Sequence, residues 1–277
     1  MNKKYFSPIA YWRKLKLVTA AKILRLGIPV KTKVSVGGHQ INFVTTSYLE
    51  YFLRAKEGCK REPLTVNWIL DVIHPDDIVF DVGANVGTYS LLMGKIVEFG
   101  KGKVFAFEPE ASNFYSLNRN ILSNHLSDSV LTFLLACGDK CRASKIYLSS
   151  FVPGAALHGI DKPESEGHRF PGQHVQGVFI CSLDELVFDF TLPVPNHIKV
   201  DVDGAERMIV ENMPRLLRDA RLQSVMIEIN SELSCGIVES KLLQAGFHEI
   251  QREPSGASAY NVLFSRSLTK SASGWPK

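Results

Sequence analysis

The chain has 277 residues, 45% of them hydrophobic and 22% charged, with a formal net charge of +4. That balance suits one large globular domain with a short extension. No apolar run is long enough to span a bilayer, and the charge is too small to imply a nucleic-acid partner.

Residues 1–32 read as a basic amphipathic helix. Trp12, Leu15, Val18, Ile23, Leu24 and Leu26 fall near one side, and Arg13, Lys14, Lys16, Lys22 and Arg25 largely on the other. The basic residues interrupt any apolar stretch of a signal peptide. Such a helix suits docking on its own domain or on a second subunit; the alternative is peripheral contact with an anionic membrane surface. Residues 33–74 read as a hairpin and helices packing on the core. Gly37-Gly38 supplies the turn of a hairpin over 33–45. Helices are expected near 47–57 and 64–73, the second entered through Pro63 and stopped at His74-Pro75.

A regular alternation then fills residues 75–266, with strands expected at 77–82, 103–108, 130–136, 197–202 and 223–229. Helices are expected between them near 87–98, 110–124, 204–219 and 235–245. This predicts an α/β fold with a doubly wound, mostly parallel sheet that takes ligands at the carboxyl ends of its strands. Phe247–Arg252 and Tyr260–Phe264 are joined only by a short turn, so the sheet should end antiparallel. Residues 150–177 are too long for an ordinary connection and read as a lid or a mobile insertion, and 267–277 as a tail. The five cysteines (Cys59, Cys137, Cys141, Cys181 and Cys235) are odd in number and lack a C-x-x-C pair, which suits a reduced, cytoplasmic protein. Cys137 and Cys141 have no cluster of further ligands, so no metal is expected.

The run Val79–Gly87 is an apolar strand ending in an acid, followed by a glycine-rich turn and a helix start. Phe105-Ala106-Phe107-Glu108-Pro109 is a second strand ending in an acid. That is the βαβ layout of a nucleoside site, with the second acid placed for ribose hydroxyls. Gly83 and Gly87 are spaced G-x-x-x-G, unlike the G-x-G-x-x-G that brings a helix N-terminus to a pyrophosphate. A buried Asp81 would repel phosphate and attract a cation. S-adenosyl-L-methionine has a ribose, an ammonium and a sulfonium and no phosphate, so it fits where NAD does not.

In order along the chain come Asp81–Gly87, Phe107-Glu108-Pro109, Ala136-Cys137-Gly138-Asp139, Ser182-Leu183-Asp184-Glu185-Leu186, Ile198–Glu206 and Met226-Ile227-Glu228-Ile229. Together, over roughly 60–265, they resemble the FkbM-type S-adenosylmethionine-dependent methyltransferases, a class I family. The resemblance implies a Rossmann-like seven-stranded sheet with a reversed last strand. It also implies methyl transfer to a hydroxyl of a sugar, polyketide or other metabolite, so the expected partner is a small-molecule or glycan hydroxyl acceptor. The sequence departs from the family in carrying Asp203 where many members have Glu.

Asp81, Gly83, Asn85 and Gly87 are expected under the methionine half of the cofactor, and Glu108, assisted by Asn113, on its ribose. Small residues around Cys137 would let adenine lie flat, with Asp139 accepting from its amino group or merely capping a turn. Lys199, Asp201 and Asp203 alternate and share one strand face, where three charges without partners would be costly. Asp201 is the leading catalytic candidate, either working on a substrate hydroxyl or holding the cofactor's ammonium, with Lys199 pairing to it or to Glu228. A purely structural ion pair and a Mg²⁺ site remain alternatives. Glu206 reads equally as a helix-start acid and a site residue, and Glu62 is a further acid that could close over the cofactor. His158 is a candidate general base; His168 and His174 are weaker ones, and His197 is expected to be structural. The expected mechanism is direct displacement, with a carboxylate or His removing the proton. Competing readings are an N-methyltransferase of protein or nucleic acid, and a non-catalytic adaptor acting through the N-terminal helix. The lack of an N-P-P-Y-type loop weighs against a flipped base, and the intact acids against the adaptor.

Overall fold

The structure, a computed structural model, describes residues 8–267 other than 173, 235 and 257. Cys235, the side chains of Trp12, Arg13, Lys14, Leu15 and Lys16, and 268–277 of the expected tail lie outside the described residues. The chain begins with α1 (Pro8–Arg25), the hairpin β1 (Val30–Val36) and β2 (His39–Thr45), a π-helical segment (Glu50–Lys56), α2 (Gly58–Arg61) and α3 (Pro63–Val72). Then come β3 (Ile78–Val82), α4 (Thr88–Val97), β4 (Lys103–Phe107), α5 (Ala111–Ser123), β5 (Val130–Phe133), β6 (Ala136–Cys137) and β7 (Arg142–Leu148). Short strands β8 (Gly159–Ile160), β9 (Glu164–Ser165) and β10 (His168–Arg169) lead to β11 (His174–Cys181), α6 (Leu183–Phe188) and β12 (His197–Val200). The last part is α7 (Glu206–Glu211), α8 (Pro214–Arg218), β13 (Ser224–Asn230), α9 (Ser231–Ser234), α10 (Ile237–Gln244), β14 (His248–Pro254) and β15 (Ala259–Ser265).

Seven strands form the main sheet in the order β14-β15-β13-β12-β3-β4-β5. All neighbours from β13 to β5 are parallel, and β15 runs against both β13 and β14, as the short terminal turn requires. The expected doubly wound sheet with a reversed last strand is therefore present. Both faces are covered. Phe80, Val82, Ile198 and Val200 pack with Ile209, Leu216 and Leu242 from helices on one side. Val79, Val104, Ala106 and Met226 pack with Trp68, Leu91 and Leu117 on the other. Burial on both faces is why these strands read as apolar runs, and why a polar side chain within them needs a partner.

Several expectations are corrected. The strand expected over 130–136 stops at Phe133, and Ala136–Cys137 joins a second, four-stranded sheet in the order β6-β11-β7-β8. The helix expected over 204–219 is broken between Glu211 and Pro214, because Pro214 starts a new helix at its first position. The segment near 47–57 winds as a π-helix. Residues 150–177 are largely tied down, since they contain β8 to β10 and the start of β11. The reading of all cysteines as reduced is also corrected. Cys141 and Cys181 form a disulfide across 40 residues of sequence, and Cys59 and Cys137 are free. Among the described residues, no helix is long and apolar enough to cross a membrane.

The N-terminal elements are fastened to the core by specific polar contacts. Asn120 on α5 and Asn124 just after it accept the Val44 and Asn42 amides at 2.9 and 2.8 Å, which occupies the free edge of β2. Ala20 and Leu24 of α1 bury against Tyr51, so the second half of this helix docks on its own chain. Glu50 is fully buried, pairs with Arg119 at 3.0 Å, and accepts the Thr46 and Ser47 amides. Glu50→Ala takes the carboxylate from Arg119 and the acceptor from those amides, and should destabilise the protein by about 3 kcal/mol. Urea melts of the two proteins measure this, and a midpoint unchanged from the parent would show that the pair contributes nothing.

Candidate functional site

The site is built where β3, β4 and β12 end side by side. Gly83 follows β3 with φ +85°, and a Cβ there would collide with the Asp201 carbonyl oxygen, so the strand ends approach this closely only because the residue is glycine. The Gly83 and Ala84 amides both donate to the Phe107 carbonyl at 3.0 Å, which pins the turn to the end of β4. Asn85 sits at φ 51° and turns its amide onto Glu108 Oε2 at 2.8 Å. Gly87, at φ +93°, then opens α4.

A cleft lies over this turn, lined by Glu108, Asn113, Ala136, Cys137, His158 and Asp203 among others. Burial pushes the Glu108 carboxyl up to about 7, against the amides of Glu110 and Asn85 that favour its charge. Glu108 Oε1 accepts from Glu110 N at 2.9 Å and Oε2 from Asn85 N at 2.8 Å. A carboxylate has two acceptor oxygens side by side, the arrangement that suits a vicinal diol.

A second cleft adjoins it, lined by Arg54, Glu62, Lys199, Asp201, Asp203 and Glu228 among others. The Lys199 ammonium, buried, lies 2.9 Å from Asp201 Oδ2 and 4.0 Å from Asp81 Oδ1, over the Tyr89 ring. Burial alone would strip its proton, but Asp201, Asp81 and Glu62 hold it charged, above lysine's usual value. Burial likewise works against the Asp201 charge, and Lys199 overcomes it, holding the carboxyl below its usual value. The surrounding acids go the other way. Burial, reinforced by Asp201, pushes Glu228 up to about 8 and Asp203 up to about 6, and burial pushes Glu206 up to about 7.

The loop at 153–157 closes over both clefts and is held from every side. Ser47 Oγ donates to the Pro153 carbonyl and Arg54 Nε to that of Gly154. The Asn85 and Asn113 side-chain amides both donate to the Ala155 carbonyl, at 2.8 and 3.1 Å. The Gly154 amide donates to Asn113 Oδ1 and the Leu157 amide to Asp203 Oδ2, each at 2.7 Å.

A sequence profile described as the methyltransferase FkbM domain matches residues 81–249. The chain belongs to the FkbM methyltransferase family. It is 30% identical over 198 residues to the hexuronic acid methyltransferase AglP of Haloferax volcanii, a match covering 71% of this chain and 73% of that one. It is also similar to the solved structure of methyltransferase FkbM from Methylobacillus flagellatus, with a TM-score of 0.48 and 14% identity. That match covers 69% of this chain but only 44% of the longer Methylobacillus chain. Aeropyrum pernix fibrillarin, solved with natively bound S-adenosyl-L-methionine, matches with a TM-score of 0.45 and 12% identity, over 85% of this chain and 100% of that one.

Within this family member, Gly83, Asn85, Glu108, Asn113, Cys137, His158, Lys199 and Asp201 come together at the two clefts. Asp81 does not reach them. It lies behind the Gly83 turn, with Oδ2 accepting from Ser90 Oγ at 2.5 Å and Oδ1 facing Lys199, so it supports the floor without lining it. Gly87 shapes the helix start beside Leu117. Asp139 is drawn away by Arg142 at 3.3 Å and lines neither cleft. Asn113 spends its amide on Gly154 and Ala155, as a loop clamp. His158 faces the first cleft. Its Nδ1 accepts the Ser149 amide at 3.2 Å, and burial holds the ring neutral, so the proton sits on Nε2. That nitrogen has no hydrogen-bond partner among the described residues, so His158 offers the cleft a donor. His197 bridges Ser224 and Asp77 at the far end of β12, as expected of a structural residue.

The sequence reasoning missed Arg54 and the loop carbonyls, which no spacing rule marks. It also undervalued Asp203, which lines both clefts; the strand expected over 197–202 is corrected, since β12 ends at Val200 and Asp203 sits beyond it at φ 58°, outside any strand alternation. The raised acids make the folded protein hold protons that the unfolded chain releases above its ordinary carboxyl value of 4.5. Their stabilising share is complete below that value and is lost as pH rises through about 8 for Glu228. Glu228→Gln stays neutral, so its thermal midpoint should fall less steeply with pH across that window than the parent's. Melts at a series of pH values test this, and equal slopes would remove Glu228 from the account.

Proposed function

We propose that this protein is an S-adenosyl-L-methionine-dependent methyltransferase that acts on a hydroxyl group of a saccharide. The observation that carries the cofactor is Glu108, a buried carboxylate at the end of β4 with a cleft in front of it. A ribose diol satisfies both oxygens at once. Ala136 and Cys137 offer small side chains beside which adenine fits, and Gly83 lets the ends of β3 and β12 approach to form the cleft floor. The carboxyls of Glu228 and Glu62 suit the ammonium end of the cofactor. The similarity to a hexuronic acid methyltransferase supports a saccharide acceptor.

When bound, the cofactor supplies an electrophilic methyl group on a sulfonium. The chain's own residues do the rest. Lys199 keeps Asp201 ionised, and Asp201, half-buried at the cleft, orients the acceptor hydroxyl and takes its proton. His158 Nε2 donates to an acceptor oxygen, and the clamped loop excludes water above the turn.

Calorimetric titration with S-adenosyl-L-methionine tests the reading. Glu108→Ala should weaken binding by more than about 100-fold, since two charge-assisted hydrogen bonds are lost. Asp201→Asn should keep binding within roughly tenfold while losing on the order of 10²–10⁴ in turnover of a hexuronic acid glycan. Undiminished binding by Glu108→Ala would reject the ribose assignment.

A further inference from the structure

The first 49 residues carry nine lysines and arginines and not one acid, whereas the other 228 carry 23 basic against 28 acidic residues. A net charge of +4 thus hides a strongly basic N-terminal segment joined to an acidic core. The described part of that segment shows where the charge goes. On α1, Val18, Lys22 and Arg25 are exposed and fall at i, i+4 and i+7, which places them on one stripe, while Ala20 and Leu24 point the other way into Tyr51. Lys31 and Lys33 lie two apart on β1, so they share its outer face, and both are exposed.

Apolar side chains accompany this charge. Leu26 and Ile28, in the turn after α1, are 75% and 51% exposed. A shallow apolar groove lies between Ala21, Leu24 and Arg25 of α1 and Tyr48 and Val152. Phe151 beside it is 59% exposed. Exposed large apolar side chains next to several cations, with no acid within the segment, are what an anionic bilayer surface takes up: the apolar groups enter the headgroup region and the cations meet the phosphates.

We propose that this face, formed by the end of α1, β1 and the tip of the 150–152 loop, docks the protein on anionic lipid bilayers. The position ties docking to the reaction site. Val152 of the face is followed directly by Pro153 and Gly154, whose carbonyls are held by Ser47 and Arg54 over the clefts. Docking therefore sets the lipid surface against the loop that roofs the clefts, which suits an acceptor carried on a lipid.

The test is co-sedimentation of the full chain with vesicles of phosphatidylglycerol and phosphatidylcholine in equal parts, and with vesicles of phosphatidylcholine alone. The protein should pellet with the first and not the second, and high salt should release it. Lys22→Glu/Arg25→Glu/Lys31→Glu/Lys33→Glu should lower partitioning by at least about 100-fold, given the contribution of each basic residue near a charged surface. Leu26→Ser/Ile28→Ser should lower it by roughly tenfold or more. Thermal melts and S-adenosyl-L-methionine titration of both variants show whether the fold and the cleft are kept, independently of the methyltransferase reading. Parent protein left in the supernatant with the mixed vesicles would overturn the proposal. So would equal pelleting with both vesicle types, or a solution dimer that Leu26→Ser/Ile28→Ser dissociates, because the face would then belong to a second copy.

Discussion

The Lys199 ammonium is the charge on which the site depends. It is buried on a strand covered on both faces, where an isolated cation would lose its proton. It survives because the parallel register sets Asp81 opposite it on β3 and because Asp201 lies two residues further along its own chain. The three groups cannot be treated separately. Asp81, tied to Ser90 and Lys199, is structural support under the turn, and Asp201 is the member that faces the cleft. Removing one partner strands the other two in a low-dielectric interior, which costs more than the pair contributes when whole.

That cation also organises the acids around it. With Lys199 committed to Asp201 and Asp81, the remaining carboxyls gather protons, and Glu228, Glu206 and Asp203 all titrate nearer neutrality than exposed acids do. Before a ligand arrives, the clefts therefore carry less negative charge than their composition suggests. An arriving ammonium favours the ionised acids, so binding of such a cofactor should be coupled to release of protons. This is how a carboxyl-rich site avoids the repulsion that four ionised acids at close quarters would create.

The loop at 153–157 joins the N-terminal elements to this chemistry. Its carbonyls are held by Ser47, Arg54, Asn85 and Asn113, and Asp203 accepts one of its amides. Residues after the hairpin, from the π-helix, the glycine turn, α5 and the segment after β12 thus converge on four loop residues, Pro153, Gly154, Ala155 and Leu157. The N-terminal extension is part of the site's roof, and the basic face it presents outside continues directly into that roof.

The sequence by itself determined the sheet and its ligand end. Strand-wide burial forces apolar runs, the glycine turn leaves its spacing, and a terminal pair joined by four residues has to run antiparallel, so β3, β4, β12, β13 and β15 were all legible. Glu108 and Asp201 were legible for the same reason, being acids at the ends of buried strands. The second sheet was not, because β6 and β8 are two residues long and β7 and β11 alternate without strong apolar periodicity. The α6 start was present as Ser182 and Glu185, a capping box, yet it had been read only as a family motif. Only the tertiary structure decided that Cys141 meets Cys181, that Asp139 turns to Arg142, that Ser149 fixes the His158 tautomer, and that Arg54 reaches the loop. Each of these depends on residues distant in the chain meeting across a sheet or a cleft, and no local pattern records which of several compatible partners will be the neighbour.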